Sequence, residues 1–228
     1  MGYAGGYTAG IRRALDRGAD HVCILNNDTT VSPGFLGPML RAMDADPAAG
    51  IIGPMVCEHR DPDIVQAAGS AANLYLGRFR QLHSGERRDE VRGLFEADYV
   101  GGACLLVRAG LVRKIGAIPE HYFLFFEETE WCLAARRAGY KVLCDCDSVI
   151  YHKGSRSTRR VAGAIAYYMT RNQIIFERRN ATALQWSTFL VYRTFQFALS
   201  MAKGLITGRI DRDMVRGFRD GLAYRRGA

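Results

Sequence analysis

A chain of 228 residues, 48% hydrophobic and 24% charged, holds enough apolar material for one domain with a real core plus an appended segment, and its composition is neither disordered nor fibrous. Its six cysteines, Cys23, Cys57, Cys104, Cys132, Cys144 and Cys146, fall mostly in apolar runs. They lack the spacing of a zinc site or a short secreted framework, so buried thiols in a reducing compartment are expected. The formal charge of +8 is uneven: from Tyr151 onward 15 Lys and Arg face 4 Asp and Glu, a surplus of +11 that leaves −3 for residues 1–150. A basic tail on a mildly acidic body calls for an anionic partner, with nucleic acid and an anionic membrane leaflet as candidates. No charged region followed by an apolar core opens the chain, so no signal peptide is read and the cytoplasm is the expected compartment.

The first ten residues carry four glycines, Gly2, Gly5, Gly6 and Gly10, before the periodic run Ile11–Gly18. The pattern predicts a glycine-rich turn feeding a helix, whose free backbone N–H groups suit an anion, although it matches neither the dinucleotide nor the Walker fingerprint. His21–Leu25 follows, apolar and rich in strand formers, and breaks into Asn26-Asn27-Asp28 before Pro33. This reads as a buried parallel strand delivering Asp28 to the crevice beyond the strand ends, where a metal or phosphate is met; an Asx turn capping the strand is the local alternative. A helix is predicted over Pro33–Asp44 and a short strand over Ile51–Val56. Residues Glu58–Glu96 form a connection long enough to be a functional excursion.

Ala97–Val107 reads as a second strong strand, with Gly101 and Gly102 marking either a close approach of ligand or backbone, or a bulge. Tyr122–Phe126 is a strand-like aromatic run that meets three acids, Glu127, Glu128 and Glu130, at the start of a helix with Trp131, Leu133, Ala134 and Ala138 inward and Gly139 as its stop. Acids in a first helical turn are favoured by the macrodipole, yet carboxylates crowded beside aromatic rings repel and raise one another's pKa. Lys141–Asp145 and Ser148–Tyr151 suggest a strand pair leading to His152, a candidate second metal ligand at a strand exit. Beyond it, Val161–Asn180 and Trp186–Ile206 read as helices and Arg209–Arg226 as a basic surface helix. Arg193 in the middle of the long apolar run argues against a spanning helix, at about 2.5–3.5 kcal/mol on insertion scales, and leaves an interfacial helix or one packed on the body.

Taken in order, Gly2-Tyr3-Ala4-Gly5-Gly6, Ile24-Leu25-Asn26-Asn27-Asp28-Thr29, Tyr99-Val100-Gly101-Gly102-Ala103, Phe126-Glu127-Glu128-Thr129-Glu130-Trp131, Arg137-Ala138-Gly139-Tyr140 and Tyr151-His152-Lys153-Gly154-Ser155 resemble the family-2 glycosyltransferases, in particular a rhamnosyltransferase-like bacterial branch. The resemblance implies an α/β GT-A fold, Rossmann-like with a mostly parallel sheet flanked by helices, over residues 1–158, with a basic, amphipathic helical tail over 159–228. It implies inverting transfer of a sugar from a nucleotide diphosphate sugar, such as dTDP-rhamnose or a UDP-sugar, to a hydroxyl of a glycan or lipid-linked acceptor in envelope polysaccharide synthesis. Nucleic acid is then not the expected partner, and the tail is expected at the inner face of the cell membrane.

Carried over by position, Asp28 and His152 hold Mg²⁺ or Mn²⁺, and Glu128 is the general base with Glu127 beside it. Gly5, Gly6, Asn26, Asn27, Asp28, Gly101 and Gly102 line the donor. The family usually has Asp where Glu128 and Glu130 stand, which moves each carboxylate out by one methylene. Its opening strands, which hold the nucleobase, would lie before Met1, so a truncated chain is expected. A non-catalytic membrane-surface or partner-binding remnant and a nucleotidyltransferase are the alternatives.

Overall fold

Strand β3, Ala49–Glu58, is buried along nearly its whole length, because almost every residue in it is apolar or small and both faces of the sheet around it are covered. The computed structural model of the protein describes residues 3–153 and 163–225. On one side of β3 runs β8, Cys104–Arg108, antiparallel to it, and beyond β8 lies β1, His21–Leu25, also antiparallel. On the other side β9, Lys141–His152, runs parallel to β3, and β2, Thr29–Val31, pairs antiparallel with the end of β9. Two short strands add to this frame: β4, Val65–Ala67, on β3, and β7, Leu94–Glu96, on β9.

Successive residues of these strands enter opposite cores, as the two-residue period requires. Ile51, Leu105 and Val142 join one cluster with Ala4 and Ile11 of α1, Tyr3–Asp16, Leu111 of α3, Ala109–Ile115, and Trp131 and Ala135 of α4, Glu127–Arg137. Ile52, Leu106 and Leu143 join the other with Met39 and Met43 of α2, Leu36–Ala45. Burying each such side chain is worth about 1.5–3 kcal/mol, so the two layers of helices are held by the same strands.

Several expectations are corrected. The sheet is mixed: among the described residues, seven strands pair in it and only β3 with β9 is parallel, and β1 is half-exposed along one face instead of buried on both. The glycine-rich opening is helix from Tyr3, since Ala4, Thr8 and Ile11 recur at helical spacing and bury against the sheet. Residues 98–103 precede β8 as loop, and 141–152 form one strand in place of a pair, with a register shift opposite Pro54 and Met55. The aromatic run 122–126 is not strand, and α4 turns Trp131, Cys132 and Ala135 inward, not Leu133, Ala134 and Ala138. Of the cysteines, Cys23 is exposed and the other five are buried.

The chain divides into two compact units, Met1–Ala71 with Arg80–Gly154, and Ala72–Phe79 with Ser155–Ala228. A boundary at 158/159 lies outside the described residues, and the second unit also takes in the tip of the hairpin β5, Ser70–Asn73, and β6, Arg78–Gln81. Within the second unit, α5, Ala164–Asn180, and α7, Arg212–Ala223, approach closely at Gly217 and Gly221, where a Cβ would come within 2.5 Å of the Tyr167 carbonyl and 3.0 Å of the Arg171 carbonyl. Between them in sequence, α6, Ala183–Thr207, opens with a capping box of Thr182 and Gln185 and closes at Gly208 in the left-handed region, φ 67°. Its inner side carries Trp186, Phe189 and Phe197, and Phe197 stacks on Phe218 of α7 at 4.1 Å. Arg193 lies on this inner side, where burial lowers its pKa and Nε meets no hydrogen-bond partner. The outer side exposes Leu184, Val191, Phe195, Leu199, Leu205 and Ile206. Among the described residues no helix is long and apolar enough to cross a membrane.

Candidate active site

The register of β2 against β9 brings two distant motifs together. Thr29 sits opposite His152 in the ladder, and the Lys153 N–H reaches the Asp28 carbonyl at 3.3 Å, so Asp28 and His152 leave the same edge of the sheet side by side. The side chains converge: His152 Nε2 lies 3.4 Å from Asp28 Oδ1. On the far side of the ring, Nδ1 lies 3.2 Å from Oε1 of Gln66 in β4.

Asn26 is fixed from two directions. Its N–H donates to the Ala103 carbonyl at 3.0 Å, and its Oδ1 accepts from the Tyr7 hydroxyl at 2.7 Å. With Oδ1 taken by Tyr7, the amide hydrogens of Asn26 are left as donors for a ligand. Asn27 is exposed. Gly5 and Gly6 lie within α1, and a Cβ on Gly6 would meet nothing within 4 Å, so neither forms the expected phosphate-cradling loop.

The loop before β8 ties this end of β1 to the acids. Ala103 accepts from Asn26, and one residue earlier the Gly102 N–H donates to the Glu128 carboxylate. Gly101, its neighbour, is half-buried and a Cβ there would meet nothing within 4 Å. Phe123, Phe125 and Phe126 take φ values of 71°, 69° and 76°, in the region that favours glycine, at a cost of order 1 kcal/mol or more each. They form the approach to α4, and that loop is anchored at Glu130, which accepts from the buried Tyr122 hydroxyl and has His121 Nε2 at 3.6 Å. Glu130 is therefore occupied structurally, leaving Glu127 and Glu128 in the first turn.

Burial pushes both of these carboxyls above the ordinary range, and for Glu127 the Glu128 charge adds to the effect. Glu127 is 2% exposed and its Oε2 has no hydrogen-bond partner, whereas Glu128 is half-buried and held by Gly102. Glu128 is thus the more accessible of the pair. Burial also pushes the Tyr99 hydroxyl up to about 12, with the Glu128 charge a smaller contribution.

A divalent cation fits Asp28 and His152. Two neighbouring ligands of an octahedral ion at about 2.1 Å stand about 3 Å apart, close to the 3.4 Å seen. Among the described residues no cluster of three or more His, Cys, Asp and Glu forms a metal cage, so such an ion would depend on diphosphate and water for its other ligands. A depression of about 570 Å³ lined by Asp20, His21, Asp44, Arg108 and Arg113 lies at the opposite end of β1 and takes no part in this arrangement.

Tyr7 and Gln66 were not singled out by the sequence, since Tyr7 stood in a stretch that read as loop and nothing around Gln66 marks it; Tyr99 opens one of the quoted motifs without a role of its own. Gly154 and Ser155 of the last motif lie outside the described residues.

Known proteins resemble this chain in sequence or in fold. Over 172 residues the chain is 46% identical to the Uncharacterized protein Rv1525 of Mycobacterium tuberculosis (strain ATCC 25618 / H37Rv), covering 74% of this chain and 60% of that protein. Over 194 residues it is 25% identical to the N-acetylglucosaminyl-diphospho-decaprenol L-rhamnosyltransferase of the same strain, again covering 74% and 60%. The chain thus spans about three fifths of the length of these relatives. The solved structure of the mannosyltransferase PcManGT from Pyrobaculum calidifontis in complex with GDP-Man and Mn²⁺ matches with a TM-score of 0.51 at 12% identity, over 94% of this chain and 66% of that one. The fold is that of the GT-A glycosyltransferases. With its sequence matched to the family model over residues 1–116, the chain belongs to the Glycosyl transferase family 2.

Proposed function

We propose that this chain carries the catalytic centre of an inverting glycosyltransferase that moves a sugar from a nucleotide diphosphate sugar, dTDP-rhamnose or a UDP-sugar, to a hydroxyl of a glycan or lipid-linked acceptor in envelope polysaccharide synthesis. The observation that carries this reading is the bridge made by loop 98–103: Ala103 holds Asn26, two residues from Asp28, while Gly102 holds Glu128. These two bonds support a reading in which an anion-binding end and a candidate base belong to one site.

In this reading Asp28 and His152 hold Mg²⁺ or Mn²⁺, which supplies charge neutralisation at the departing diphosphate. The Asn26 amide donates to the donor, with Gly101 and Gly102 lining the approach. Glu128 takes the acceptor hydroxyl's proton as its oxygen bonds to the anomeric carbon, the carbon–phosphate oxygen bond breaks, and configuration inverts as nucleoside diphosphate leaves. A carboxyl raised above its ordinary range is a better proton acceptor near neutral pH than a free one. Residues 1–158 form the catalytic domain and 159–228 the tail. The exposed apolar side of α6, with Lys203, Arg209 and Arg212 near its end, supports contact with the anionic inner face of a membrane.

The decisive test gives the protein dTDP-rhamnose or a UDP-sugar and Mn²⁺. Glu128→Gln should abolish turnover with donor affinity nearly unchanged, and Asp28→Ala should weaken Mn²⁺-dependent donor binding. Release of pyrophosphate would point to nucleotidyl transfer, and absence of donor binding to a non-catalytic remnant. For the tail, Val191→Asp with Phe195→Asp should reduce sedimentation with phosphatidylglycerol vesicles; unchanged binding would remove α6 from the membrane contact.

A further inference from the structure

We infer that Gln66 is a positioning residue that decides which ring nitrogen of His152 faces Asp28. The inference rests on the proposed reading of Asp28 and His152 as cation ligands. An amide oxygen can only accept, so the His152 nitrogen 3.2 Å from Gln66 Oε1 must be the one carrying hydrogen. In the neutral ring Nε2 then keeps its lone pair, and Nε2 is the atom turned to Asp28. The 3.4 Å gap between Nε2 and Oδ1 is longer than an N–H···O hydrogen bond, so the Asp28 carboxylate does not compete with Gln66 for the ring hydrogen.

The backbone shows why Gln66 is the residue that reaches His152. In the β3–β4 ladder the consecutive residues Val56 and Cys57 pair with Ala67 and Val65, which leaves Gln66 as the extra residue of a bulge. A bulge re-aims the side chain at its own position. On its other side β3 pairs with β9, with Cys57 opposite Tyr151 and Glu58 opposite His152, so the bulge lies level with the end of β9. Without the extra residue, regular alternation would carry the position after Val65 in register against Val56, and the aim at His152 would be lost. The half-buried Gln66 has no charge of its own, so its effect on a cation passes through the imidazole.

Two readouts test this on the full chain, neither of them turnover. Mn²⁺ binding is followed by loss of the free-ion EPR signal, with UDP present. The His152 tautomer is read at pH 8 by long-range ¹H–¹⁵N correlation, its signals identified by their loss in His152→Gln. Gln66→Ala should weaken Mn²⁺ binding about 10–100-fold, the usual cost of losing a partner of a ligating histidine, and move the ring away from the Nδ1–H form. Gln66→Glu, which keeps an accepting oxygen, should hold the tautomer and bind Mn²⁺ within about threefold of the parent. If Gln66→Ala leaves both affinity and tautomer unchanged while Asp28→Ala abolishes Mn²⁺ uptake, the role of Gln66 is overturned and the metal reading stands. If the parent chain takes up no Mn²⁺, the metal reading fails, and the tautomer alone decides whether Gln66 orients the ring.

Discussion

Glu177 offers a stability test that needs no substrate. It lies in α5, is 0% exposed, and neither carboxylate oxygen has a hydrogen-bond partner; burial alone pushes its pKa from 4.5 to about 8. The unfolded chain releases this proton near 4.5, while the folded chain keeps it until about 8, so between those values the folded state binds more protons. Stability is then highest below the unfolded value, falls as pH rises through the window, and levels off above it. At about 1.4 kcal/mol per pH unit, retaining the proton costs the folded state about 3 kcal/mol at pH 7. Glu177→Gln removes the titration and keeps the shape. It should match the parent at pH 4.5 and exceed it by about 3 kcal/mol at pH 7, with a larger margin at pH 8. Urea unfolding followed by fluorescence of Trp186, whose ring stacks under Arg178 at 5.1 Å, reports on the neighbouring turn of α5. The two units need not unfold together, so the relevant phase is the one lost in Trp186→Phe. A difference between Glu177→Gln and parent that stays constant from pH 4.5 to 8 would refute the reasoning.

Three further outcomes are expected. Gly217→Ala drives a Cβ to within 2.5 Å of the Tyr167 carbonyl and should cost about 1–3 kcal/mol, whereas Gly10→Ala, with nothing within 4 Å inside α1, should gain about 0.5–1 kcal/mol; thermal melts ranked the other way would contradict both placements. Tyr7→Phe removes the hydroxyl that holds Asn26 Oδ1 and should raise the donor KM about fivefold, near 1 kcal/mol, with little change in kcat; in an Asn26→Ala background the same change should have no further effect. Because burial raises the Glu128 pKa, activity that needs its carboxylate should fall on the acid side at a pH above the ordinary value of about 4.3; a kcat/KM profile flat down to pH 4.5 would exclude Glu128 as the base.

Much of the local structure could be read directly from residues. The stripe Phe35–Met43, the acids opening α4 and the stop at Gly139 are short-range signals, and the two helices stand close to where those signals put them. Where the reading failed, a long-range contact had overruled a local preference. The glycines before Ile11 favour a turn by themselves, but burial of Ala4 and Ile11 against the sheet makes them helix. Strand direction was also misjudged, because an apolar run such as Leu105–Val107 has the same composition whether its neighbour runs with it or against it.

The amino-acid order by itself was enough to name the candidate residues: Asn26 and Asp28 after one apolar run, Glu127 and Glu128 at a helix start, and His152 after another. Tertiary structure alone decided their grouping. Pairing of Thr29 with His152 sets a carboxylate beside an imidazole from the far end of the unit, loop 98–103 links Asn26 to Glu128, and a bulge aims Gln66 at the ring. It also decided that α6 turns Arg193 inward and an apolar stripe outward, the reverse of what hydropathy suggests. Periodicity reports that a face exists, but which neighbour covers it depends on ladder register and helix packing, and those are fixed by contacts between residues far apart in the chain.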